Sequence, residues 1–274
     1  MAQKAHPSIL RPKTDVYKGS TSWDEARFYH ITSTIHNLIE FCFLDTTHYL
    51  NKIQINRYLG LILIDLDLIH LHFKSKRRIF SRRYKENRVK AKKNSWTLVA
   101  CRLQSAVRLI QQFSGTKKVT IKINRLKAYT RSIPKPARKQ LAFFVKGFNR
   151  SKYDYARSGM QLIYLLLKGK ASLTAFSRFL TQNISSRQKR KRHYQFLSYL
   201  KKTLKALEPY KEIKGLKIQI KGRFTHKAKG RSRSWKHQIG SMPLSQLDKV
   251  IEAKYAHTQT AYGSVGVKVW ICKC

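Results

Sequence analysis

Apolar residues change their spacing along this chain, and the spacing predicts where helices and strands lie. In residues 25–43 the apolar positions recur at three- and four-residue steps, which is the helical period. Residues 53–58 and 61–73 are rich in Ile and Leu and lie on either side of Gly60. The pattern predicts a helix followed by two antiparallel strands.

A second helix and a third strand follow. Ser95 can cap a helix that has one broad apolar face and ends at Gly115. In residues 118–124 apolar and polar residues alternate, as in a half-buried strand. The order helix, strand, strand, helix, strand indicates a small α+β domain over residues 25–127. Residues 1–24 are polar and irregular and predict an extended basic arm.

The second half of the chain combines helices with a larger sheet. Residues 128–170 hold several prolines and glycines among basic residues, which predicts an inter-domain insertion with one short helix at 160–167. An apolar stripe at helical spacing covers residues 171–207. From Gly215 onward the period is two, so we expect helices packed on a four-stranded, mainly antiparallel sheet. Residues 171–274 therefore form a second α+β domain.

Charge restricts the partners of the chain. It has 58 Lys and Arg against 13 Asp and Glu in 274 residues, a formal net charge of +45. Such a chain repels itself unless a polyanion neutralises it. Because 42% of its residues are hydrophobic, it can build one or two packed cores and is not a wholly disordered basic tail. The composition predicts a folded protein that binds nucleic acid.

Several other classes are disfavoured. No run of roughly 20 apolar residues could span a bilayer, and residues 1–11 lack the apolar segment of a secretory signal, so we expect a mature amino terminus. The four cysteines lack zinc-site spacing, and Cys42 and Cys101 are expected to be reduced and buried. Histidines form no metal motif and acids are sparse. No catalytic group, metal, cofactor or small-molecule substrate is predicted.

Three groups of cations are candidate RNA-binding sites. Residues 74–93 contain eleven Lys or Arg and one acid; a solvated loop is the alternative, but counterion release favours phosphate binding at this net charge. A second run, residues 187–193, continues to Lys201 and Lys202, with a polar helix face as the alternative. A third group lies on the predicted sheet, where Trp235 either packs or stacks on a base. The predicted rRNA-binding residues are Lys76, Arg77, Arg78, Arg82, Arg83, Lys217, Lys221, Arg223, Arg231 and Arg233.

Short segments near both ends of the chain share a family resemblance. Residues 261–271, AYGSVGVKVWI, are similar to a closing strand of the form T-Y-G-x-I-G-V-K-V-W-I. Residues 215–223 are similar to a G-I-K-x-x-x-x-G-R strand, residues 242–244 to V-P-L, and residues 1–7 to an opening M-G-Q-K-x-x-P. With these motifs the chain resembles the ribosomal protein S3 family of the small subunit.

The resemblance implies a prokaryotic KH-type fold for residues 25–127, with which the predicted order of elements is compatible. One departure affects function. No glycine lies between Gly60 and Gly115, so the G-x-x-G loop with which KH domains clamp RNA is missing, and the basic residues 74–93 stand in its place. The resemblance therefore implies a degenerate KH-like domain that docks on rRNA through charge.

The resemblance also implies a position at the mRNA entrance. Family members line this path with a basic helix F-R-R-x-x-K-R, which aligns with residues 196–202. Its two arginines are not matched here, so the unwinding role carries over only to Lys201 and Lys202. Arg190 and Arg192, one to two turns earlier, complete the predicted mRNA-entrance residues.

Together these observations predict a structural, non-enzymatic constituent of the small-subunit head. Its expected partners are small-subunit rRNA, mRNA and neighbouring head proteins, with no membrane. The lost glycine loop and two insertions resemble mitochondrial family members, and an amino terminus without a transit peptide fits a gene of the organelle, so we expect a mitochondrial ribosome in the matrix. The alternatives are a non-ribosomal RNA chaperone and an RNA-processing protein such as a nuclease, which would need clustered acids.

Overall fold

The fold consists of two compact units, each of which mixes helices and strands. The units are Gly19–Lys127, and Ala128–Cys274 together with Met1–Lys18. The α+β class and the four-stranded C-terminal sheet predicted from the sequence are confirmed. The computed structural model describes residues 6–7, 10–11, 25–43, 46, 48–58, 60–71, 82–128, 133–146, 155–185, 193–224, 230–260 and 262–273.

The N-terminal unit has the predicted order of elements within its described residues. These are α1 (Glu25–Cys42), β1 (His48–Tyr58), β2 (Leu61–Leu71), α2 (Arg82–Ser114) and β3 (Lys118–Ala128). β2 lies between β1 and β3 in the sheet, and β1 and β2 are antiparallel. Gly60 joins them with a φ of +78°, a conformation that glycine adopts without steric cost.

One apolar cluster between the two helices and one face of the sheet forms the core of this unit. Alternate residues of β2 enter it, which leaves Asp65 and Asp67 on the other face. Burying each Ile, Leu or Val side chain of this core contributes roughly 1.5–3 kcal/mol to folding. The main buried members are Ile31, Ile35, Ile39, Ile62, Ile64, Leu66, Leu68, Val99, Leu103, Ala106 and Ile110.

Two boundaries in this unit differ from the sequence prediction. α2 begins at Arg82, so Ser95 lies inside the helix and does not cap it. The added turns are rich in Lys and Arg, which are good helix formers, but contain few apolar residues to show the helical period. β1 begins at His48, five residues earlier than predicted, because a bulge between Leu50 and Lys52 interrupts the alternation.

The C-terminal unit packs helices on one face of a four-stranded sheet. The strands β4 (Gly215–Gly222), β5 (Arg233–Gly240), β6 (Ile251–Thr260) and β7 (Gly263–Cys272) are arranged β5-β4-β7-β6, with antiparallel neighbours. α5 packs on β6 and β7, and α6 contacts β5. The helices are α3 (Lys135–Lys146), α4 (Tyr155–Leu167), α5 (Leu173–Ser185) and α6 (His193–Leu207).

The predicted inter-domain insertion is largely helical. The sequence analysis expected one helix at residues 160–167, whereas the structure has α3 and a longer α4 there. Both helices contact α6 and belong to the C-terminal unit. Pro136, which indicated a loop, is the second residue of α3, where its missing N–H costs no hydrogen bond. Likewise, the single helical stretch predicted for residues 171–207 is two helices, α5 and α6.

A close approach at Gly159 fixes how α4, α5 and α6 pack together. A Cβ at this position would lie 2.6 Å from Cζ of Phe179 and 3.1 Å from Oη of Tyr199. Both rings are fully buried. The Tyr199 hydroxyl donates a hydrogen bond of 2.6 Å to the carbonyl oxygen of Ala156, and its burial raises the pKa of the hydroxyl. Only glycine at this position allows the three helices to meet in this way.

The described part of the predicted N-terminal arm lies on the C-terminal sheet. Arg11 is 2% exposed and donates hydrogen bonds to the carbonyl oxygens of Pro7, Leu244 and Gln246. His6 contacts the ring of Tyr255 at 4.9 Å between centroids. The segment thereby borders a small apolar cluster on the sheet face opposite the helices. Among the described helices, none is long and apolar enough to cross a bilayer.

Candidate nucleic-acid interface

One face of the C-terminal sheet carries four lysines around a single glutamine. Gln219 of β4 is paired with Lys236 of β5 on one side and with Lys268 of β7 on the other. Lys217 and Lys221 lie two residues before and after Gln219, so strand alternation places them on the same face. Directly paired side chains lie about 5 Å apart at Cβ. We call this patch the sheet-face lysine cluster: Lys217, Lys221, Lys236 and Lys268.

Two lysines of this cluster make cation–π contacts with aromatic rings. Nζ of Lys217 lies 5.7 Å from the ring centroid of Trp270, and Nζ of Lys268 lies 4.8 Å from that of Tyr255. The other two lysines are exposed. Cation–π attraction offsets part of the repulsion between the ammonium groups, whereas like charges on neighbouring strands are destabilising. An anion lying on the cluster would remove the remaining repulsion.

The solvent side of α6 carries a second set of cations. Lys201, Lys202 and Lys205 are exposed, and the helix contains no acidic residue. Lys201 and Lys205 are four residues apart and therefore neighbours on one side of the helix. We call these three residues the α6 lysines. The opposite side of α6 is buried and consists of His193, Phe196, Leu197, Tyr199, Leu200, Thr203, Leu204 and Leu207.

The edge strand β5 faces α6 with a different set of side chains. Ile220, which is fully buried, pairs with Trp235, so Arg233, Trp235 and His237 lie on the helix side of the sheet. Burial lowers the pKa of His237, and the nearby Lys201 lowers it further. Its Nε2 atom is buried and has no hydrogen-bond partner among the described residues. His237 is therefore neutral at neutral pH.

The structure separates the rRNA-binding residues predicted on the C-terminal sheet. Lys217 and Lys221 belong to the sheet-face lysine cluster, whereas Arg233 lies on the opposite face. Arg223 follows β4 and is half-buried, and Arg231 precedes β5 and is exposed. Lys217 and Lys221 therefore share one face of the sheet, and Arg233 does not.

The other predicted rRNA-binding residues belong to the N-terminal unit. Arg82 and Arg83 are the first two residues of α2. Lys76, Arg77 and Arg78 lie outside the described residues. The basic stretch that was interpreted as standing in place of a glycine loop is thus helical from residue 82 onward.

The predicted mRNA-entrance residues are described in part. Lys201 and Lys202 are exposed on α6, and Arg190 and Arg192 lie outside the described residues. His193, which the sequence analysis placed in the same cationic run, is 3% exposed, and its Nε2 lies 3.0 Å from a carbonyl oxygen of α5. It packs in the core and is not part of a cationic surface.

Sequence reasoning missed two cations that complete these surfaces. Lys268 was not selected, although it alternates with Val267 and Val269 as an outward-facing strand residue does. Lys205 follows Lys201 by one helical turn, and that spacing was the available signal. In both cases the spacing was present in the sequence. The other cations of the same surface include residues from distant segments or earlier turns, and only the fold brings them together.

The thiols and histidines do not form a metal site in the described part of the chain. No group of three or more His, Cys, Asp or Glu there could hold a metal ion. Cys42, Cys101 and Cys272 are free, and burial raises the pKa of the Cys42 thiol. Cys101 was predicted to be buried but is exposed, because two residues along a helix turn it roughly 200° away from the buried Val99.

Comparison with known proteins gives a family-model match that lies within the C-terminal unit. The family model "Ribosomal protein S3, C-terminal domain" matches residues 184–271. Small ribosomal subunit protein uS3c of Cyanophora paradoxa is 46% identical over 61 residues, which are 22% of this chain and 27% of that protein. Small ribosomal subunit protein uS3 of Nitratiruptor is 29% identical over 111 residues, 40% of this chain and 46% of that protein. The chain thus matches less than half the length of these relatives.

We expect His237 to make the stability of the protein depend on pH. Because its pKa in the folded state is below 6.5, the folded protein binds fewer protons than the unfolded chain. The stabilisation is complete above pH 6.5 and is lost as the pH falls through the folded-state pKa. Urea unfolding at pH about 8 and about 5 measures this loss, which should be smaller in His237→Gln.

His257→Gln is the matched control, since His257 is exposed on β6 of the same sheet. It should retain the pH dependence of the wild type. Equal pH dependence in wild type and His237→Gln would show that this histidine does not contribute.

Proposed function

We propose, from the match of residues 184–271 to the ribosomal protein S3 C-terminal domain, that the chain is a structural, non-enzymatic constituent of a small ribosomal subunit that binds rRNA. The observation that carries this proposal is the sheet-face lysine cluster on a folded domain of this family. Four ammonium groups on one rigid sheet match the repeated negative charge of an RNA backbone, and phosphate contacts position a protein on RNA without reading sequence. Release of counterions makes such contacts favourable.

For the N-terminal unit we propose a degenerate KH domain that docks on rRNA by charge. Its helices and three-stranded sheet occur in the expected order. The basic residues 74–93, including Lys76, Arg77 and Arg78, and the start of α2 at Arg82 and Arg83 would supply the contacts. Neighbouring proteins of the subunit head are the proposed protein partners.

The α6 lysines are the proposed contacts to mRNA at the entrance of the subunit. They are exposed, and the family resemblance aligns residues 196–202 of α6 with the family's basic helix. Leu197, at the position of the first family arginine, is 4% exposed, so it packs in the core. Lys201 and Lys202 would therefore act with Lys205, and with Arg190 and Arg192 where those reach the same path.

We propose a mitochondrial ribosome as the location, on the ground of the missing glycine loop and the insertions relative to the family pattern. Relatives from plastids and bacteria match this chain over 61 to 111 residues. The rRNA recovered with the native protein distinguishes the organelles, because mitochondrial and plastid small-subunit rRNA differ in sequence.

Sedimentation of the native protein tests the ribosomal assignment. We expect it to cofractionate with small subunits and to remain there through a moderate salt wash, because many phosphate contacts act together. A soluble low-mass pool would favour the rival RNA chaperone. Metal-dependent cleavage of labelled RNA by the purified protein, abolished by an Asp or Glu substitution, would favour the rival nuclease.

The role of α6 is tested by Lys201→Ala with Lys202→Ala. Removing two cations from the mRNA path should slow translation through structured messages more than through unstructured ones, while the protein remains in small subunits. Lys135→Ala with Lys139→Ala on α3 is the matched control, since both lysines are exposed on the same unit. Equal losses of translation and of subunit assembly in the α6 variant would contradict the mRNA role.

A further inference from the structure

A groove between α6 and β5 combines aromatic walls with two cations. Its volume is about 310 Å³, at the lower end of the range of small-ligand sites, roughly 300–1,000 Å³. Leu197 and Phe224 are buried beneath it, with 4% and 5% of their surface exposed. The lining residues are Tyr194, Leu197, Ser198, Lys201, Phe224, Arg233, Ser234 and Trp235.

The two largest rings of the groove come from different elements. Tyr194 is 47% exposed at the start of α6, and Trp235 is half-buried on β5. The ring of Phe224 contacts that of Tyr194 edge-on, with centroids 6.3 Å apart, and so orients it. Exposed rings on a rigid frame offer flat faces to a planar ligand. The sequence could not identify this pair, because either ring alone is more often a packing residue.

The charge of the groove selects the kind of planar ligand. Lys201 and Arg233 line it from opposite elements, and none of the eight lining residues is acidic. A purely apolar or cationic ligand would leave both cations without an acceptor. A ligand with an aromatic plane and a neighbouring phosphate satisfies rings and cations together. An unpaired nucleotide has both groups, whereas the stacked bases of an RNA duplex cannot enter a groove of this size.

We propose that this groove binds one unpaired nucleotide of an RNA strand, with its base against Tyr194 and Trp235 and its phosphates at Lys201 and Arg233. The inference rests on the proposed function at the mRNA path and adds to it a stacking contact. Such a contact holds single-stranded RNA without sequence preference, because every base has an aromatic face. The groove would thereby distinguish an unwound strand from a duplex.

The test compares binding of two RNAs to the full-length protein by fluorescence anisotropy. One is a single strand of about six nucleotides, and the other is a duplex of the same length and sequence. Tyr194→Leu and Trp235→Leu should each weaken single-strand binding about 5- to 100-fold, because they remove a stacking face. Binding of the duplex should change less than about twofold, because it relies on phosphate contacts.

Three matched variants and an abasic strand separate stacking from other effects. Trp235→Phe keeps an aromatic face and should retain most of the affinity. Phe143→Leu removes a ring that is 74% exposed on α3 and should leave both RNAs unaffected. Lys201→Gln should make the slope of log affinity against log salt for single-strand binding less steep by about one, because one fewer counterion is released. A strand without bases should bind the wild type at least as weakly as the base-containing strand binds Tyr194→Leu.

The outcomes distinguish this inference from the proposed function. If the wild type binds rRNA but Tyr194→Leu and Trp235→Leu keep full single-strand affinity, the groove does not hold a base and the rRNA role stands. Equal binding of the abasic strand, or equal weakening of strand and duplex, also overturns the inference. If the wild type binds neither RNA, the proposed function itself fails.

Discussion

Repulsion among 58 Lys and Arg is the constraint on which the rest of the structure depends. The described cores are built almost entirely from Ile, Leu, Val and aromatic side chains, and the cations lie on the outer surfaces of helices and strands. The buried Arg11 is an exception, and it donates to three backbone carbonyl oxygens. The C-terminal unit therefore folds by apolar burial between its helices and one face of its sheet, while four lysines lie on the other face. A bound RNA would remove the electrostatic cost that this arrangement leaves.

The C-terminal unit uses its two sides for different kinds of contact. The sheet-face lysine cluster lies on paired strands, which suits the backbone of folded rRNA. On the helix side, Lys201 of α6 lines a groove with aromatic walls, which suits an unpaired strand. A single sheet separates these surfaces, so a fixed contact to rRNA on one side would position the groove on the other.

The sequence predicted an element correctly where its residue pattern is compatible with only one kind of structure. The four-stranded sheet after Gly215 was predicted correctly, because alternation on a half-buried sheet has no competing explanation. The first turns of α2 have few apolar side chains, so helix propensity forms them and no apolar period reveals them. Pro136 is compatible with both a loop and the first turn of α3. The separation of Lys221 from Arg233 depends on the pairing register of β4 with β5, which no local pattern contains.

The salt dependence of the affinity of the purified protein for small-subunit rRNA tests the central claim most directly. If phosphate neutralisation stabilises the protein on its partner, the logarithm of the association constant should fall with the logarithm of salt with a slope of about −3 or steeper, which corresponds to about four neutralised phosphates. The sheet-face lysine cluster alone accounts for that number. A slope near zero, or a stable protein that ignores rRNA at about 0.15 M salt, would contradict the account.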